Sequence, residues 1–437
     1  MRALAFTALF VFFACSSAED DPPNDAGVVT CEAPTQGPTV HSGFPNADET
    51  WSAAGSPHRV TSDLVIGPTI IVTIEPCAVV ELSEGVFLRA QGRLYARGVE
   101  GRPITFRAAE GARWASLAIQ SGARVELSHV ELSGGGQIPA TSFGETIEVV
   151  GGVFPPVPQL LVQNVTVRGS AGYGLYLRNW AAFDPTSRDL TVQGSGAVDG
   201  EPGQPMRISY NALGSIPSGR YTGNRADEIV ISGDSPHYQV ELDDTLRNRG
   251  VPYHVGDPGN PGRLEIVQAK LTIEAGVTLR FSSTPSGVGG LDVRDQGVLV
   301  AVGSSAAPIV FTSLADQPGP GAWEGVTFTE ALGAGNQLQQ LRIENAGAHG
   351  GDNGFGCPPL VPTLGTDAAL KFFTQLPSDF VDQVDIVDSA VHGIIEAWNG
   401  TYVDLLSGNT FSGVSACNLV SPKDAEGNCP ADPPCPK

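Results

Sequence analysis

The chain has 437 residues, 41% of them apolar, which is ample for a core, while 54 Gly and 34 Pro exclude an architecture of long helices. Its formal charge of −22 excludes a nucleic-acid binder, because phosphates demand clustered Lys and Arg. The balance is that of an all-β chain with many turns, acidic enough to stay soluble after export.

The N-terminus predicts export. Met1-Arg2 is a short positive segment and Ala3 to Ala14 an almost unbroken apolar run, so residues 1–14 read as a signal peptide. The run ends in Phe12-Phe13-Ala14-Cys15, which resembles a bacterial lipobox with Phe12 in place of the usual Leu. That resemblance implies lipidation of Cys15, and Ser16 after it implies an outer-membrane destination. Residues 15–39, polar, acidic and rich in Pro, read as a disordered tether. The expected protein is an outer-membrane or cell-surface lipoprotein, held to the membrane by its lipid alone. Cleavage at a neighbouring site, giving a secreted or periplasmic protein, is the alternative. No later stretch reaches the ~20 apolar residues of a spanning helix.

Apart from Cys15 the chain has Cys31, Cys77, Cys357, Cys417, Cys429 and Cys435, an even set that predicts up to three disulfides in an oxidising compartment. Cys31 is expected to pair with Cys77 near the first end, and the other four to fasten the C-terminal region. Zinc is disfavoured, since Cys429 and Cys435 have no second close pair and no flanking His. No metal and no cofactor are expected.

An internal repeat organises the rest. Gly92-Arg-Leu94-Tyr-Ala96-Arg-Gly98 with Pro103-Ile104-Thr-Phe106 recurs, at one constant interval, as Gly297-Val-Leu299-Val-Ala301-Val-Gly303 with Pro308-Ile309-Val-Phe311. Trp323 answers Trp114, and Asp243-Asp244-Thr245 answers Asp48-Glu49-Thr50. The spacing predicts one copy over 40–204, a connecting coil and second copy over 205–415, and a Cys-rich cap over 416–437. Within each copy, short alternating strands such as Ile71 to Ile74, Val86 to Leu88, Ile104 to Phe106 and Val165 to Val167 lie between Gly, Pro, Asn or Ser turns. Asn-Gly and Asp-Gly hairpin turns are nearly absent between them, which favours a parallel solenoid over a β-sandwich. The segment Pro205 to Asp244 is expected to continue the coil.

The order "VTIEP…VV…L…A.G.L.A.G…PITF…W", ending in "NVTVRGSAGYGL", resembles the pectate-lyase-like superfamily of right-handed parallel β-helices, and especially bacterial lipoproteins and cell-surface proteins carrying that domain. Enzymes of the superfamily cut polysaccharides, which would imply paired Asp, a GHG turn and an RIK triplet, or a calcium cluster with a basic residue. The nearest pieces are Asp243-Asp244, His349-Gly350, Leu341 to Glu344, Asp352-Asn353-Gly354 and Asp382 to Asp388. They lack the required spacing and read as caps and solvated loop acids, and His392 as a satisfied turn histidine. No catalytic residue is assigned. Trp114 and Trp323 read as corner packing, whereas Trp180, Trp398 and Tyr402 follow strand segments and are the candidates for stacking on sugar rings. The expected function is a non-catalytic envelope protein presenting a β-helix to a glycan, a protein or a neighbouring cell. A polysaccharide lyase or glycoside hydrolase with a divergent site, and a structural envelope component, are the alternatives.

Overall fold

A computed structural model of the protein describes residues 30–233, 239–256, 261–283, 288–314, 316, 318–349, 356–358, 367–375, 377 and 379–437; Cys15, the tether up to residue 29 and Asp352 to Gly354 lie outside the described residues. Among these residues the chain is strand and turn, with two short 3-10 turns, Ala53–Gly55 and Tyr210–Ser215.

Alternation sets which way each side chain faces. Ile71–Ile74 buries Val72 and Ile74, and Arg93–Arg97 buries Leu94 and Ala96 while Arg93 and Arg97 face water. Each strand pairs in parallel with a strand one coil further on, so like positions stack. Val72, Leu94, Val125 and Leu160 form one interior ladder, and Ile74, Ala96, Leu127 and Val162 the next, all essentially inaccessible. Truncating one such Leu to Ala removes about 2–5 kcal/mol, the transfer term plus the cavity left behind.

Several corners need only one residue. His129, Asn164, Asp189, Gln340 and Gln383 all have left-handed backbone, with φ between 46° and 56°. Each bends a strand so that its two halves pair in different columns: Arg124–Ser133 pairs with Arg93–Arg97 before His129 and with Ile104–Ala108 after it. Polar residues that tolerate positive φ serve here, followed at once by an aliphatic that returns to the core.

The strands stack in columns, and the columns change midway. A first column runs from Thr39–Gly43 to Gly219–Arg220. A second runs from Leu64 to Ile66, through Met206–Ile208, Ile229–Ile231 and Tyr253–Val255, down to Thr410–Ser412. A third is interrupted after Ala182–Phe183, where Tyr210–Ser215 packs between that strand and Asp244–Leu246. A fourth begins at Gln239–Val240, where the first ends, and continues to Leu419–Val420. The second column is thus continuous across residues 205–256 while the first is exchanged for the fourth. The whole is a parallel stack of coils, consistent with a parallel β-helix.

Both ends are covalently fastened. Cys31–Cys77 ties the N-terminal lead to the early coils, and Cys357–Cys429 and Cys417–Cys435 tie the tail to the last ones.

Candidate functional site

A cavity of the outer flank lies where the second column turns into the third. The connection Gly151-Gly152-Val153-Phe154-Pro155-Pro156-Val157 leaves Ile147–Val150 and returns as Pro158–Arg168. It lies so close to the next coil that a Cβ on Gly151 would collide with the backbone of Asn179 and Ala181. Above it, Asn179 and Trp180 take φ of 53° and 62°. For a bulky aromatic that conformation costs of order 1–3 kcal/mol, and it persists only where the surroundings enforce it.

Trp180 is half-buried, its ring 5.5 Å from that of Phe154, and with Ser121, Gly122, Gly152, Val157 and Gln159 it lines a cavity of about 200 Å³. Val153, Phe154 and Val157 form an exposed apolar lip. The polar feature is the Gln159 carboxamide, 3% exposed. Its Nε2 donates to Gln120 O at 2.8 Å and to Val150 O at 2.9 Å. Flipping the amide would set its oxygen against both carbonyls, so the assignment is secure. Gln159 Oε1 is left buried with no partner. A buried acceptor without a donor is costly, and this one is an unmet acceptor of a residue that borders the cavity.

Tyr402, 46% exposed, stands at the other end of the molecule, on an apolar groove formed with Leu419, Pro422, Pro430, Pro434 and Pro436 under the C-terminal cap. Trp398 departs from expectation. It is 6% exposed and part of the core, its indole N–H donating to Thr401 O at 3.0 Å, because the chain folds back after His392–Glu396 and the ring closes the interior of the last coils. It presents no face to a sugar.

The acids are elsewhere and mostly engaged. Asp48 Oδ1 accepts from Ile71 N and Asp243 Oδ1 from Lys270 N, each at 2.8 Å, so both cap the first residue of the strand one coil on. Asp244 accepts from Gly214 N and Thr245 N. Asp385 pairs with Arg342 at 2.6 Å. On the outer face of the fourth column Glu324 and Lys371 form an ion pair at 3.0 Å with both side chains inaccessible, and Arg263 joins Glu324 at 2.9 Å and also pairs with Asp292. Burial pushes the Asp292 carboxyl up to about 6 against the pull of Arg263. Nearby His349 Nδ1 meets Asp367 at 2.9 Å. His392 is fully buried, its Nδ1 accepting from Cys417 N. The carboxylates of this patch are buried and neutralised rather than paired across an open cleft, whereas glycoside cleavage needs two carboxyl groups reaching opposite sides of a bound sugar.

Among the described residues no group of three or more His, Cys, Asp or Glu is placed to hold a metal ion. Gln159 and the Gly151–Val157 connection escaped the sequence reading. Its one available signal was three apolar side chains in a Gly- and Pro-rich turn, where no core demands them. Comparison with known proteins returns no match to any family model, curated protein or solved structure.

Proposed function

We propose that this is an exported, envelope-held and non-catalytic binding protein whose outer flank takes a sugar ring in the Trp180 cavity. The observation that carries the reading is a cavity walled by Trp180 and bordered by Gln159, whose fixed Oε1 has no partner. An apolar ring face opposed to hydroxyl donors is the chemistry of a saccharide, and an indole beside a lone acceptor matches it. Lipidation at Cys15 and an outer-membrane or surface location are part of the proposal, supported by residues 1–39 of the sequence and by disulfides that fit an oxidising compartment. So is descent of the two halves from one right-handed pectate-lyase-like unit. The like capping by Asp48 and Asp243 supports it. The indoles of Trp114 and Trp323 support it too, donating to Ser133 O and Glu344 O at 2.8 and 2.7 Å.

The test is a screen of the purified protein against immobilised polysaccharides, with product release assayed in the same wells. Saturable binding without product, weakened about tenfold or more by Phe154→Ala and Trp180→Ala but not by Tyr402→Ala, is the expected result. Release of reducing ends or unsaturated products would establish the lyase or hydrolase reading instead. Absence of binding across a broad panel would leave the structural-component reading.

A further inference from the structure

A second cavity, of about 480 Å³, lies where the first column ends, at the turns leading out of the third column, and is lined by Pro185, Ser187, Ser218, Arg247 and Arg249 together with the 214–217 turn. In a chain of net charge −22 its chemistry is inverted. Arg249 donates through Nε, at 3.1 Å, and through Nη2 to Ile216 O, and has no carboxylate partner among the described residues. Arg247 donates to Gly214 O; Glu274 is 4.0 Å away, a long and exposed pair, and the Asp244 carboxylate, bound by Gly214 N at 2.9 Å, also lies within reach of its charge. Both guanidinium groups are held in place by backbone carbonyls, and Arg249 has no acid against it among the described residues. Each keeps N–H donors beyond those bonds. The serines add to this. Ser187 Oγ accepts from Val162 N and Ser218 Oγ from Asp189 N, so an acceptor site of each hydroxyl is used and its proton remains to give.

We propose that this junction cavity is an oxyanion site. It would take a phosphate, sulfate or carboxylate group carried on a small molecule or on a chain running over the flank, gripped by Arg247 and Arg249 and finished by the Ser187 and Ser218 hydroxyls. Guanidinium groups preorganised on backbone carbonyls are a usual device for such groups. The location has its own logic. Gly219–Arg220 is the last strand of the first column, and exchange of columns opens a recess that a regular coil would fill. The site is independent of the Trp180 cavity, and the failure of either leaves the other standing.

The probes are inorganic phosphate, sulfate and acetate, titrated calorimetrically into the full protein at constant ionic strength with chloride as the balancing ion. Saturable binding of at least one probe is expected, weakened about tenfold or more in both Arg249→Gln and Arg247→Gln and only partly in Arg249→Lys, which keeps the charge and loses the fork. Preference for phosphate or sulfate assigns the site to tetrahedral esters, and preference for acetate to carboxylates. No saturable binding of any probe, or equal affinity in wild type and both Gln variants, overturns the proposal. Should a variant unfold, a sulfate soak of wild-type crystals decides the matter: density between Arg247 and Arg249 supports the site, and an empty recess refutes it.

Discussion

The early coils and the fourth column handle charge in opposite ways. On the early coils, ion pairs span neighbouring rungs in water: Glu81 bridges Arg59 at 3.2 Å and Arg107 at 2.6 Å, and Arg97 meets Glu126 at 2.6 Å, with the Arg side chains about half exposed. On the fourth column the corresponding outward row is sealed. Thr327 stands opposite both Asp292 and Lys371 in the strand register, and Asp292, Glu324, Thr327 and Lys371 are all buried. The same coil geometry thus yields a solvated flank in one half and a second, polar interior in the other. Where the pairs are wet, each is worth little and can be exchanged freely. Where they are dry, every member depends on its partner, because desolvation has already been spent.

The contrast can be broken hardest at the buried pair. Lys371→Met strands Glu324 with only Arg263 and should cost about 3–5 kcal/mol in denaturant unfolding, whereas Lys371→Met with Glu324→Gln together should recover much of it. A smaller loss from the single variant than from the pair would mean the row is open to water. Next comes the apolar ladder of the early coils, where Leu94→Ala should cost about 2–5 kcal/mol by the same measurement. Glu396 sharpens the comparison through pH. Buried at the last coils, its carboxyl is pushed up to about 8, while Val403 N donates to it at 3.1 Å. The folded protein therefore holds a proton that the unfolded chain gives up near 4.3, so this group's contribution to stability falls as pH rises from about 4.3 to 8. In Glu396→Gln, melting should be unchanged at about pH 3, well below both values, and higher than wild type at pH 8. An equal pH slope in both proteins would contradict the assignment. The smallest effect belongs to the wet flank, where Glu81→Gln should change stability by about 0–1 kcal/mol and less at high salt.

Much of the solenoid was legible because its rules are local. Period-two strands, Gly and Pro turns and aliphatic ladders are written residue by residue, and the corner residues Asn164 and Gln383 each precede an aliphatic-polar-aliphatic triplet. Strand limits slipped where turn and strand share composition: Val86 to Leu88 reads as a strand, yet the strand is Leu88–Ala90, with Val86 closing the turn that begins at Ser83. The exchange of the first column for the fourth was not legible, since it depends on which rung a strand meets and not on its own pattern. The Trp180 cavity was half legible. The ring stood out, but Gln159 is an ordinary polar residue until its amide is seen locked by Gln120 and Val150. Trp398 misled for the complementary reason, because following a strand does not say whether the chain then turns outward or back over the core.

The central claim is that the Trp180 cavity is a saccharide site, and a crystal structure of the protein with its best-binding oligosaccharide tests it most directly. The account predicts a sugar ring against Trp180 with one hydroxyl within hydrogen-bond distance of Gln159 Oε1. Ligand density elsewhere on the molecule, with only water at Gln159, would contradict it.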